Sequence, residues 1–230
     1  MEDIKKYFSY AIIFLSLNFL SITQVLSADC GEVSSSTTIS EGCTDLEISG
    51  SNTHVTIKDG VTIDNTSYAV TFDNTTNATL TNNGTIETTA SGANAIGVGG
   101  SDISILTNTG TITADGATAI RQGGTIGTLY NTGIIEADSS AITNRTATGE
   151  IGTLNNEGTI RTTGGKNGIN VANGTIVKLN NSGTISSVGD HGILIKAAGE
   201  ITTLINTGTI STDGNCTFNY KGHIKKFTNK

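Results

Sequence analysis

The sequence predicts an all-β chain folded as a right-handed parallel β-helix (solenoid) of about seven coils, with repeats of roughly 25 residues. Three observations lead there. A heptapeptide of the form L-x-N-x-G-T-I returns at a nearly constant interval. The composition is rich in small polar residues, with 29 Gly and no Pro. No ten-residue window shows the 3.6-residue periodicity of an amphipathic helix.

The N-terminus reads as an export signal that precedes the fold. Lys5 and Lys6 open it, Ala11 to Ile22 form an apolar run, and the stretch ending in Leu26, Ser27 and Ala28 supplies the small residues of a cleavage site. The run is too short for a membrane-spanning helix. Cleavage is expected after Ala28, with Ser27 as the rival, so residues 1–28 are assigned to the signal. Asp29 stands before Cys30 where a lipoprotein needs a small residue, which argues against lipidation.

Residues 29–49 are expected to form an N-terminal cap. Cys30 and Cys43 flank a twelve-residue segment in a chain marked for export, where disulfides persist. A bridge between them would protect the edge of the first coil. Free or differently paired thiols are the alternative. Cys216 falls in a column otherwise held by Ala69, Ala95, Ala119, Ala141, Gly168 and Gly192, which suits a small packed side chain.

Residues 50–230 carry the repeats. The heptapeptide begins at Leu80, Leu106, Leu129, Leu154, Leu179 and Leu204, at intervals of 26, 23, 25, 25 and 25 residues, with a weaker copy at Ile57. Phe227 and Asn229 occupy the Leu and Asn positions of a further copy, so the chain is expected to be cut inside its last repeat. A second landmark precedes each heptapeptide, as in Asn94–Val98 and Thr118–Gln122, and an Ile-x-x-Leu leads into it from Ile103 onward. Three short β-prone pieces per period are what one coil of a parallel β-helix requires. Within the motif Leu, Asn, Gly and Ile share a parity and are expected to point inward from an extended strand, while Thr points out. Stacking would then align Leu on Leu and turn Asn82, Asn108, Asn131, Asn156, Asn181 and Asn206 into a hydrogen-bonded ladder. Gly84 and its successors suit a bend with no room for a Cβ. The lack of Pro fits as well, because each rung must donate its N–H groups to a neighbour. A leucine-rich repeat would also stack Asn, but it needs the helical segment that is missing here.

Composition and motifs narrow the function classes. Charged residues make up 14% of the chain, against roughly 25% in ordinary globular proteins, and the net charge is −7. An acidic chain does not offer the basic face that phosphate neutralisation needs, so no nucleic-acid partner is expected. His54, His191 and His223 are far apart, and no H-E-x-x-H, paired C-x-x-C or G-x-S-x-G is found. No catalytic residue, metal ligand or cofactor is therefore assigned. Arg161–Gly168 resembles a phosphate loop only loosely: Ile160 replaces its first Gly and Asn167 its Ser or Thr, so it reads as a turn. The Gly-Gly-Ser-Asp at Gly99 is solitary where calcium-binding repeats need a nine-residue beat. Asn215 lies in an acidic glycosylation signal that packing of Cys216 would shield.

An export signal followed by Gly-, Asn- and Thr-rich coils with repeated L-x-N-x-G-T-I resembles the passenger region of bacterial autotransporters and related filamentous adhesins, over roughly residues 50–230. The resemblance implies presentation at the outer surface of a Gram-negative bacterium, or release from it, by a membrane β-barrel. No alternating strand run of that kind occurs in these residues. A chain that ended here would be expected in the periplasm. The expected function is non-catalytic, adhesive or structural, toward a component of a host cell or matrix. The outward column Thr85, Thr111, Thr159, Thr184 and Thr209, broken by Ile134, is the candidate contact face, although Thr also simply suits a solvent-facing strand. The alternative is a polysaccharide lyase or hydrolase on the same fold. Such an enzyme wants clustered carboxylates and aromatic platforms, and beyond the signal only Tyr68, Phe72, Tyr130, Phe218, Tyr220 and Phe227 are aromatic. Along the outward Thr column of the repeats, an ice-binding Thr-x-Thr occurs in strict form only at Thr111 and Thr113.

Overall fold

The computed structural model describes residues 28–230, and the expected export signal, residues 1–28, lies outside the described residues except for Ala28. The described chain is all strand and turn. Parallel strands stack as a β-solenoid of about seven turns with a spacing near 25 residues. Each coil has three faces. In a central coil they are Glu150–Asn156, Thr159–Thr162 and Ile169–Val171, which we call the first, second and third faces. Nine strands, from Thr37–Ile39 to His223–Asn229, stack in the first face. The second face runs from Thr62–Asn65 to Thr209–Thr212 and the third from Tyr68–Thr76 to Cys216–Tyr220. Both begin on one long strand, Cys43–Ser51, whose start pairs with the second face and whose remainder pairs with the third.

Stacking in register puts like on like. On the first face Leu80, Leu106, Leu129, Leu154, Leu179 and Leu204 follow one another rung by rung, with Ile103, Ile126, Ile151, Ile176 and Ile201 in the neighbouring inward column. All are buried, as are Ile86, Ile112, Ile135, Ile160 and Ile185 on the second face. No coil could bury these side chains alone, because each is covered by the rungs above and below, so stability accumulates along the stack.

The heptapeptide is not a single extended strand. In the coil at Leu154 the first-face strand ends at Asn156, Glu157 and Gly158 turn the corner, and Thr159 opens the second face. Leu, Asn and Ile still point inward because the chain bends around them, whereas the open side of each Gly faces the backbone of the preceding rung and not the core. The Gly column is required by close approach. A Cβ at Gly133 would lie 2.0 Å from the Gly110 carbonyl oxygen, and one at Gly158 would lie 2.2 Å from that of Gly133. None of these corner glycines has the positive φ that would explain glycine by backbone conformation.

Residues 28–49 are built like the coils. Ala28–Val33 pairs in parallel with Cys43–Ser51, and Thr37–Ile39 begins the first face. A disulfide joins Cys30 and Cys43. The strand Cys216–Tyr220 closes the third face; the side chain of Cys216 lies outside the described residues.

Candidate functional site

The asparagines of the heptapeptide form one continuous chain of side-chain hydrogen bonds inside the first corner. Asn82 Nδ2 donates to Asn108 Oδ1 at 2.8 Å, and the pattern repeats through Asn131, Asn156, Asn181 and Asn206 to Asn229, at 2.7–2.8 Å. Each amide from Asn82 to Asn181 also donates to two carbonyls, as Asn156 does to Gly158 at 3.3 Å and Thr184 at 3.1 Å, and Asn206 donates to one, Gly208, at 3.0 Å. From Asn82 to Asn206 these side chains are buried and occupied with one another, so the ladder is structural. Its direction leaves Asn82 Oδ1 without a hydrogen-bond partner, because Ile57 fills the ladder position of the preceding coil.

The Thr column lies on the second face in the order Thr62, Thr85, Thr111, Ile134, Thr159, Thr184, Thr209. It is half-buried over most of its length and lines neither of the two cavities of the third face. Beside it runs Asp64, Glu87, Thr113, Glu136, Arg161, with an ion pair between Arg161 and Glu136. Of Arg161–Gly168, the first two residues end the second-face strand Thr159–Thr162 and residues 163–168 form the corner to the third face. Asn215 is exposed and donates to Asp190 Oδ1 at 3.0 Å. Among the described residues no three His, Cys, Asp or Glu side chains gather to hold a metal ion.

The concave surface is on the third face. Its central strands have only three residues, Ile120–Gln122, Ile142–Asn144 and Ile169–Val171, against seven on the first face. The outward column is Thr71, Gly97, Arg121, Thr143, Asn170, Leu194. The turns that follow differ in length: two residues separate Gln122 from Thr125, five separate Asn144 from Glu150, and three separate Val171 from Thr175. The long turn stands up as a wall. It is pinned to both neighbouring coils, by Thr146 Oγ1 donating to the Gly123 carbonyl at 2.6 Å and by Asn173 Nδ2 donating to the Arg145 carbonyl at 2.7 Å.

Two adjoining cavities result, of about 720 and 520 Å³, and Arg121 and Arg145 line both. Arg121 Nη1 donates to Tyr68 Oη at 2.8 Å, reaching two coils back. Gly97 makes that contact possible: a Cβ there would be 2.7 Å from Tyr68 Cδ1 and Cε1, so the ring lies against bare backbone. Among the described residues the two ion pairs are Arg161 with Glu136 and Lys225 with Glu200, and neither uses Arg121 or Arg145.

Two inward side chains of this face interrupt an apolar column. Gln122 and Asn144 stand between Val98 and Val171, and both are buried. Their amide nitrogens donate to backbone carbonyls, Asn144 to Gly149 at 3.1 Å and Gln122 to Glu150 at 3.0 Å. Their Oδ1 and Oε1 atoms have no hydrogen-bond partner and face Gly149, where a Cβ would lie 2.5 and 2.8 Å from them. These amides fasten the floor of the cavities to the base of the long turn.

The heptapeptide search missed Tyr68, Arg121 and Arg145 because none belongs to the heptapeptide. A usable signal was present: Arg121, Arg145 and Arg161 are the only arginines of the sequence, and two of them fall in or beside the second landmark. Comparison with family models, with curated proteins and with solved structures finds no match to this chain.

Proposed function

We propose that the protein is an exported, non-catalytic attachment protein, similar in kind to an autotransporter passenger or filamentous adhesin, and that it meets a host-cell or matrix component through an extended lateral face. The observation that carries this reading is the shape of the third face, where cavities lined by residues of successive coils form one groove along a stiff rod. Such a surface gathers affinity from many modest contacts, and each added coil enlarges it. The export segment and the bridged Cys30–Cys43 pair suit an oxidising compartment outside the cytoplasm.

Beads coated with the full-length chain after export are the test, scored for attachment to cell monolayers and to extracellular matrix. Deleting one repeat, Leu154 to Lys178, is expected to keep the register and to weaken attachment gradually. Turnover of a polysaccharide or peptide bond that disappears when a single Asp or Glu is replaced would overturn the reading.

A further inference from the structure

Charge is unevenly shared among the three faces. The chain is acidic overall, yet past the first third-face strand, which carries Asp73, the third-face strands and the turns that follow them, over residues 94–100, 118–124, 140–149, 167–174 and 191–199, contain no Asp or Glu. The same segments contain Arg121, Arg145 and Lys196. Their positions are fixed by backbone pairing: Arg145, Ala172, Lys196 and Lys221 each donate an N–H to the preceding rung and so occupy one corner column. Arg145 and Lys196 are two rungs apart, or about 10 Å, and Lys196 and Lys221 one rung, or about 5 Å, from the usual strand spacing. The preceding corner carries Asp115, Asp138 and Asp190, of which Asp138 accepts a hydrogen bond from Thr163 and Asp190 one from Asn215, and no Asp or Glu lines either cavity. Cavities lined by cations and by no acid, in an acidic protein, mark where an anion is attracted.

We propose that this groove binds an acidic polysaccharide laid along the rod axis, with one carboxylate or sulfate group on Arg121 and others on Arg145 and Lys196. The proposal names the ligand class of the attachment face and rests on that reading. Arg121 is pre-positioned by Tyr68, so a planar anion meets a guanidinium that is already ordered. The groove floor supplies the hydroxyl and amide groups of Ser140, Thr143 and Asn170, which suit sugar hydroxyls. A polymer that repeats its charge at a fixed interval matches cations held at multiples of the rung spacing. Single-stranded nucleic acid fits less well, because it wants a series of stacking rings and Tyr68 is the one ring with a polar tip on this groove. An acidic peptide could not add as a strand, since the strands lining the groove are paired on both sides.

The test is retention of the exported full-length protein on immobilised polygalacturonate and on heparin, with neutral dextran, polyglutamate and single-stranded DNA as comparisons. Retention on at least one acidic polysaccharide is expected, falling as salt rises. Arg121→Gln with Arg145→Gln should lower affinity at least tenfold, and the exposed Lys196→Gln alone several-fold. Lys178→Gln with Lys226→Gln removes the same charge from one column of the first face and should change affinity less than twofold. Circular dichroism checks that each variant keeps its strand content. No retention on either polysaccharide, equal losses for the two double variants, or equally strong retention on polyglutamate or DNA would each overturn the proposal. Polymer binding that is lost while beads still attach would contradict this ligand class alone, and beads that fail to attach while polymer binding persists would contradict the attachment reading alone.

Discussion

The first and third faces of the solenoid are made by the same chain at the same rung spacing, yet they solve different problems. On the first face nearly every column is homogeneous: Leu on Leu, Ile on Ile and Asn on Asn across six or more rungs. On the third face the column from Phe72 reads Val98, Gln122, Asn144, Val171, Ile195, and the turns that follow have unequal lengths. Homogeneous columns let each side chain meet an identical neighbour, so every rung gains the same contacts and the same hydrogen bond. Heterogeneous columns sacrifice some of that packing and leave a concave, cationic surface. The comparison teaches that a solenoid with two regular faces holds its register well enough for the third to vary.

The largest way to break the regular side is at its corner. Gly133→Ala forces a Cβ against the Gly110 carbonyl, and relief requires separating two hydrogen-bonded rungs. A loss of about 4 kcal/mol or more is expected in denaturant titration, the range reserved for few point changes. A loss under about 1 kcal/mol would mean that the coils are not so closely stacked.

Leu154→Ala should follow at about 2–5 kcal/mol, because the side chain is fully buried in the middle of its column. Thr159→Ala, on the outward side of the next strand, should stay within about 0.5 kcal/mol. Similar losses at the two positions would contradict the inward and outward assignment.

The amides sharpen the contrast between faces. Asn156→Ala interrupts the ladder, leaves the buried Asn181 Oδ1 without its donor and reduces Asn131 Nδ2 to its longer bonds to carbonyls, and should cost about 2–3 kcal/mol. Asn144→Val restores the apolar column of Val98 and Val171 and removes an oxygen that has no hydrogen-bond partner. Its expected cost is below about 1 kcal/mol, since removing a poorly satisfied group is far cheaper than orphaning its partner. The reverse order in thermal unfolding would show the third-face amides to be the stronger support.

The smallest effect concerns charge on the first face. The hydrogen bond from Lys225 Nζ, at 2.7 Å, holds the Glu200 carboxyl below its ordinary value of 4.5, and one from Thr202 adds to it. A depressed carboxyl contributes stability above that ordinary value and loses it as pH falls through the lowered one, so the window lies below pH 4.5. In Lys225→Gln the Glu200 midpoint, followed by NMR, should rise toward the ordinary value. An unchanged midpoint would contradict the pairing.

How much could be read from sequence follows the same division. The first and second faces were legible because Leu154, Asn156, Gly158 and Ile160 recur in every coil and each residue type has a physical reason for its place. The corner at Glu157 and Gly158 was harder to see, since inward parity continues unbroken through the bend. The groove was the least legible part. Tyr68 and Arg121 are 53 residues apart and meet across Gly97 of the intervening coil. A comparison of each repeat with the next cannot show a contact that skips a repeat. Likewise the wall at Arg145–Gly149 exists because one turn is longer than its neighbours, and aligning repeats treats that extra length as a gap.

Amide hydrogen exchange on the purified protein, with and without a saturating acidic polysaccharide, tests the central claim that the regular faces hold the rod while the third face binds. First-face amides should be the most protected in both states, and added protection should be confined to residues 94–100, 118–124, 140–149, 167–174 and 191–199. New protection centred on the first or second face, or none on the third, would contradict it.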